Sequence, residues 1–224
     1  MKEMRFKKLR LWAAYPFAVL YLVAAYFYGL DFRLGMWLVL AGLCIRFWAA
    51  GFIKKIRVLT TAGPYAFVRN PLYVGNFLIG LGFCLAVPAH FLSIIYGVLF
   101  FYFYAGTVKK EEILLSDLFG KEYLEYKQAV PAFIPRLTPF RSKWPASAFS
   151  LEQAHFNGEL IRVLVTGIVL CLLCFFYGFF KEKVIGTHDT MYSAVLLAVH
   201  VALLAVTIAH RKKLIKSEQN QQKK

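Results

Sequence analysis

Leu59-Thr-Thr-Ala-Gly-Pro-Tyr-Ala-Phe-Val-Arg-Asn-Pro-Leu-Tyr-Val-Gly-Asn-Phe-Leu-Ile-Gly-Leu-Gly82 begins as a polar, Gly/Pro-punctuated loop and runs straight into an apolar helix. Gly63-Pro64-Tyr65 reads as a tight turn, because proline fixes φ and glycine permits close approach. Asn70 suits an N-cap and Pro71 the first helical turn, where a missing N–H costs nothing. A second polar segment opens with Glu111-Glu112 at the end of another apolar stretch and runs to Pro135. Punctuation and paired acids at the mouth of an apolar bundle are costly unless something binds there.

Outward from that junction, the 224 residues are 59% hydrophobic, with a mean hydropathy of +0.56. Such values come from segments that cross a bilayer, which take about 20 apolar residues for ~30 Å of hydrocarbon. Six stretches qualify, at 11–30, 34–53, 72–88, 91–108, 161–180 and 190–209; the third is short and rich in glycine. The expected fold is an all-α polytopic membrane bundle of about six spans, with a cytoplasmic amphipathic helix. None of the stretches reads as a cleavable signal.

The net charge of +15 has a topological explanation. Lys2, Arg5, Lys7, Lys8 and Arg10 precede the first stretch, and Lys54, Lys55, Arg57 and Arg69 follow the second. Lys109, Lys110, Lys121, Lys127, Arg136, Arg141 and Lys143 follow the fourth, and Arg211, Lys212, Lys213, Lys216, Lys223 and Lys224 the sixth. The opposite loops hold only Arg33, Lys181 and Lys183. With six alternating spans the basic clusters share one side, so both termini are expected in the cytoplasm. A bilayer with anionic headgroups is the partner this charge implies, and nucleic acid is not.

Residues 1–136 form an expected four-span core, with the amphipathic helix at 111–129. There Leu114, Leu115, Leu118, Phe119, Tyr123 and Tyr126 make one apolar face, interrupted near Gly120 and stopped by Pro131. Residues 137–160 read as a polar connector, 161–209 as an additional two-span hairpin, and 210–224 as a basic, disordered tail. Cys44, Cys84, Cys171 and Cys174 lie within spans. The Cys171/Cys174 pair lacks a second pair or a nearby histidine, so packing is the better reading. His90, His155, His188, His200 and His210 show no metal-ligand spacing. Arg46 lies inside the second span, where it either snorkels or serves a site.

At Gly63, Tyr65, Arg69, Asn70, Pro71, Tyr73 and Gly75, and again at Glu111, Glu112, Leu115, Phe119, Gly120, Glu122, Tyr123 and Tyr126, the chain resembles the isoprenylcysteine carboxyl methyltransferase and phospholipid N-methyltransferase family. The resemblance covers roughly residues 41–136. It implies transfer of a methyl group from S-adenosylmethionine to a lipid or isoprenoid acceptor, without a metal. By position it assigns cofactor contacts to Leu59, Thr60, Tyr65, Asn70, Pro71, Tyr73 and Glu111, with Gly80 and Gly82 from the phospholipid branch. The residue types agree with that chemistry. A carboxylate suits a ribose diol, aromatic faces suit a sulfonium, and Arg69 or a helix N-terminus suits the methionine carboxylate.

Two positions depart from the family pattern: Asn70 replaces a histidine, and Thr107 stands where a substrate-binding arginine is expected. The second departure argues against prenylated cysteine as acceptor. A carboxylate acceptor needs no general base at neutral pH. For an amine acceptor, Glu112 is the nearest candidate catalytic base. The rival expectations are an NADPH-dependent lipid or sterol reductase and a non-catalytic membrane interaction protein on the same fold.

Overall fold

The computed structural model describes residues 2–53, 58–143, 148–178 and 188–222, and the described residues contain helices and no strand. The helices are α1 (Lys2–Tyr28), α2 (Phe32–Phe52), α3 (Pro71–Leu85), α4 (His90–Ala129), α5 (Leu151–Phe156), α6 (Glu159–Tyr177) and α7 (His188–Gln222), with a 3₁₀ turn at Gly63–Ala66. Most of the loop expected between the last two spans, and the basic residues Lys54, Lys55 and Arg57, lie outside the described residues.

Among the described residues, four helices are long and apolar enough to cross a membrane: Phe32–Phe52, His90–Ala129, Glu159–Tyr177 and Tyr192–Ser217. The other two expected spans fall on the shorter apolar helices Trp12–Tyr28 and Pro71–Leu85. At 1.5 Å per residue, the 15 residues of α3 cover only about 22 Å. The limit is set by the chain itself: Pro71 starts α3 and the Val87-Pro88 turn follows its end.

Helix α3 runs antiparallel to α2 at very close range. Gly35 opposes Gly82, and Gly42 opposes Gly75, where a Cβ on Gly42 would come within 2.6 Å of the Gly75 carbonyl. Small residues that let two backbones approach are the usual means of tight packing in a membrane. At the far end, Tyr21, Ala24 and Ala25 of α1, Cys84, Val87, Ala89 and Leu92 around the α3–α4 turn, and Leu173 of α6 form one apolar core.

Helix α4 has 40 residues and continues through the charged 109–112 segment without a break. The expected interruption lies at Gly120, whose φ of 49° and ψ of −121° are not helical. The helix ends at Ala129, with Val130 extended ahead of Pro131. Helices α6 and α7 pack antiparallel, with Gly167 against the ring of His200. The connector before α6 is only partly irregular. Ser150 caps α5 by accepting from Gln153 N–H (3.2 Å), and Asn157 donates to the carbonyls of Ala50 and Ile53 at the end of α2.

Candidate functional site

Two segments far apart in sequence meet where α3 begins. The loop at 58–70 lies against the second half of α4, and the chain leaving α4 folds back along that loop. Leu59 is buried with Tyr123, Tyr126 and Val130, with Leu115, Phe119 and Phe140 packed around them. So Leu115, Phe119, Tyr123 and Tyr126 fold over the bundle, whereas Leu114 and Leu118 of the same amphipathic segment remain exposed. Three backbone hydrogen bonds fix the returning chain: Arg69 N–H to Pro131 O (2.9 Å), Arg136 N–H to Phe67 O (2.9 Å) and Phe140 N–H to Ala66 O (2.8 Å).

The charged groups are paired across this junction. Arg69 Nη2 lies 2.9 Å from Glu112 Oε1, and Lys127 Nζ lies 2.8 Å from Glu112 Oε2. Arg69 Nη1 also donates to the Lys127 carbonyl (3.2 Å), while its buried Nε has no protein partner. Glu111 takes the opposite role. Its exposed carboxylate accepts a 2.8 Å hydrogen bond from the Tyr73 hydroxyl. The Tyr73 ring meets Tyr104 edge-on at 5.3 Å.

Asn70 occupies the N-cap position of α3, yet its side chain does not cap the helix. Its Nδ2 donates instead to the Ala132 carbonyl (3.0 Å), which also accepts from the Tyr104 hydroxyl (3.1 Å). The expected cap is therefore a clamp between the two segments. Pro71 starts α3 as expected and is buried. Tyr65 is buried in the 3₁₀ turn, and its carbonyl accepts from the Tyr126 hydroxyl (2.7 Å). Burial holds the Tyr65 phenol well above its ordinary pKa, with Tyr126 adding to the effect. It is thus held neutral and is no base. Thr60 Oγ1 points back to the Phe52 carbonyl at 3.5 Å.

The structure brings Leu59, Thr60, Tyr65, Arg69, Asn70, Pro71, Tyr73, Glu111 and Glu112 into one region. Gly80 and Gly82 lie deeper in α3. Gly80 abuts the Tyr96 ring, and Gly82 lies against Gly35 and Val39 of α2. Thr107 donates to the Phe103 carbonyl of its own helix (3.0 Å). Among the described residues, no group of three or more His, Cys, Asp or Glu side chains is placed to hold a metal.

One buried ion pair escapes a linear reading. Arg46, 3% exposed, donates through Nε to Glu159 Oε2 (3.1 Å) and through Nη2 to Glu159 Oε1. Its Nη1 donates to Leu72 O (2.8 Å) and Asn76 Oδ1 (2.9 Å) in the first turns of α3. Arg162 also approaches the Glu159 carboxylate, at 3.3 Å. The signal was the cost of an arginine in a span, which demands an acid. Glu159 stands at the start of α6, within the segment read as a polar connector.

Comparison with known proteins finds relatives of the first half of the chain. The sequence model of the phospholipid methyltransferase family matches residues 19–122. The nickel-cobalt-cadmium resistance protein NccN of Alcaligenes xylosoxydans is 37% identical over 117 residues, covering 51% of this chain and 53% of that protein. The cobalt-zinc-cadmium resistance protein CzcN of Cupriavidus metallidurans is 33% identical over 112 residues, 48% of this chain and 51% of that protein. Human protein-S-isoprenylcysteine O-methyltransferase is 38% identical over 77 residues, 34% of this chain and 27% of that enzyme. The match thus spans about half the length of the two metal-resistance relatives and about a quarter of the human enzyme. No solved structure matches. Through the core that carries the Tyr73–Glu111 junction, the chain is similar to the isoprenylcysteine carboxyl methyltransferase and phospholipid methyltransferase family.

Proposed function

We propose that the chain is an integral-membrane enzyme that transfers a methyl group from S-adenosylmethionine to a lipid-like or isoprenoid acceptor other than prenylated cysteine. The observation that carries this reading is the junction itself: Tyr73 of α3 on Glu111 of α4, beside the Arg69–Glu112–Lys127 ion pairs. The donor set fits the cofactor. Glu111 offers an exposed carboxylate to a ribose diol, oriented by the Tyr73 hydroxyl. The Tyr73 and Tyr104 rings offer π faces to a sulfonium. Arg69, with its Nε unpartnered, and the N-terminus of α3 offer positive charge to the methionine carboxylate. When bound, S-adenosylmethionine supplies an electrophilic methyl group.

The protein's part is then to align and to exclude water rather than to exchange protons. Asn70 and Tyr104 hold the returning chain over the site through the Ala132 carbonyl. Glu112 is committed on both oxygens, so accepting a proton requires release from Arg69 or Lys127. We therefore assign Glu112 to holding Arg69 in place when the acceptor is a carboxylate, and to proton acceptance only with an amine. Thr107, turned onto its own helix, supplies no cation for the carboxylate of prenylated cysteine. The basic loops put this site and both termini on the cytoplasmic side. Glu159, at the start of α6 just before the 161–209 hairpin, ties that hairpin to the 1–136 core through Arg46.

The test is transfer of a methyl-tritiated label from S-adenosylmethionine to extracted membrane lipids by the purified, reconstituted protein. Label in the lipid phase that disappears in Glu111→Gln is the expected result. Lipids left unlabelled by folded wild-type protein, across phospholipid and isoprenoid pools, would overturn the reading.

A further inference from the structure

The chain leaving α4 turns back at Val130 and descends beside the helix it has just left. Phe133, at the tip of this return, lies 5.1 Å from Phe101, 5.2 Å from Tyr104, 5.6 Å from Phe77 and 6.1 Å from Phe100, centroid to centroid. These contacts measure its depth. Phe101 is eight residues before Lys109, where the charged part of α4 begins, so it lies about 12 Å down the helix axis. Phe77 is six residues into α3, about 9 Å below Pro71 by the same rise. Two helices therefore place the tip at one level, well inside the apolar layer.

The backbone of the return is suited to that depth. Pro131 and Pro135 have no N–H to satisfy. The Ala132 carbonyl accepts from both Asn70 and Tyr104, and Arg69 and Arg136 N–H anchor the two ends. The side chains beside the tip have no protein cover: Ile134 is 77% exposed and Leu137 98%. Above them, the Arg136 guanidinium is fixed on the Ala129 carbonyl (2.8 Å) and Thr138 Oγ1 (3.2 Å), with Arg141 and Lys143 following. An apolar tip beneath a basic collar complements one surface, an anionic bilayer at its headgroup–acyl boundary.

We propose that residues 131–137 form a re-entrant strap seated in that boundary, with Ile134 and Leu137 in contact with lipid. Phe133 on the strap touches Tyr104, and Tyr104 touches Tyr73, the partner of Glu111. The strap thus links the lipid surface to the candidate site through two ring contacts. The proposal rests on the chain's crossing a bilayer and is independent of methyl transfer.

Single-tryptophan fluorescence tests it in the full chain. The four native tryptophans, Trp12, Trp37, Trp48 and Trp144, are replaced by phenylalanine. One probe is then placed by Ile134→Trp or Leu137→Trp. A third variant, Tyr102→Trp, reports from an exposed position in the apolar part of α4. Leu137 is almost wholly exposed, so its replacement does not endanger folding. The proteins are reconstituted in phosphatidylcholine–phosphatidylglycerol vesicles, with or without bromine on the acyl chains. The expected result is that both strap probes lose about as much fluorescence to brominated lipid as the Tyr102→Trp probe and are shielded from aqueous iodide. Strap probes quenched by iodide and untouched by brominated lipid, while the Tyr102→Trp probe reports normal insertion, would overturn the proposal and leave water or another protein as the neighbour. Unchanged strap quenching in pure phosphatidylcholine would remove the anionic requirement.

Discussion

Glu111 and Glu112 are adjacent on one helix and do opposite work. Glu111 faces outward with Tyr73 as its donor, while Glu112 is drawn inward between Arg69 and Lys127. Different losses follow for the two glutamines. Glu111→Gln keeps the hydrogen bond from Tyr73 but loses the charge-assisted acceptor, so affinity for S-adenosylhomocysteine is expected to fall about tenfold or more, ~1.4 kcal/mol. Glu112→Gln leaves Arg69, only 11% exposed at its side chain, without its anion. Its expected effect is a loss of stability of about 1–3 kcal/mol, read as a lower melting temperature in detergent. A Glu112→Gln protein that melts like wild type would show that the Arg69 pair contributes little. The two acids were legible as a pair because their position at a span boundary is costly. Their division of labour was not, since it depends on Lys127, about two turns beyond the Gly120 kink.

At the level of elements, the Arg46–Glu159 pair joins α2, α3 and α6. Removing one partner of such a buried pair leaves an uncompensated charge and typically costs about 3–5 kcal/mol, whereas replacing both with apolar groups is often neutral. Glu159→Ala is therefore expected to give little folded protein, and the double change Arg46→Met/Glu159→Leu to recover much of it. A double variant no better than the single one would mean that the hydrogen bonds to Leu72 and Asn76, rather than the charge balance, hold α3. The glycine contacts give a second test. Gly42→Leu should separate α2 from α3 and abolish the melting transition, because the facing atoms include the Gly75 carbonyl and the Ile79 backbone nitrogen, which cannot swing away. Hydrophobic runs announced these helices, and Pro71 and Pro131 marked two ends correctly. The side-chain role of Asn70 was misread because a local cap and a long-range clamp use the same residue type.

For the whole molecule, the C-terminal helix is tied down by a histidine pair, His210 Nδ1 to His155 Nε2 at 3.0 Å, with Arg211 Nε donating to the Phe156 carbonyl (2.9 Å). Burial, then His210 and Arg211, lower the His155 pKa from its ordinary value. The neutral form is favoured in the folded state, so the unfolded chain takes up the proton first as pH falls. Stability is thus expected to be complete above about pH 6.5 and to decline below it. His155→Gln should flatten that decline in a pH series of melting temperatures; an unchanged slope would place the titration elsewhere. The all-helical bundle was evident from the length and placing of the apolar runs. The number of membrane-length helices was not, because α3 is set by its prolines rather than by bilayer thickness.

Whether the Tyr73–Glu111 junction is a cofactor site is decided by calorimetric titration of S-adenosylhomocysteine into the detergent-purified protein and its Glu111→Gln variant. Micromolar binding by wild type, weakened at least about tenfold in the variant, is the predicted result. Folded wild-type protein that binds none, or a variant that binds equally well, would contradict it.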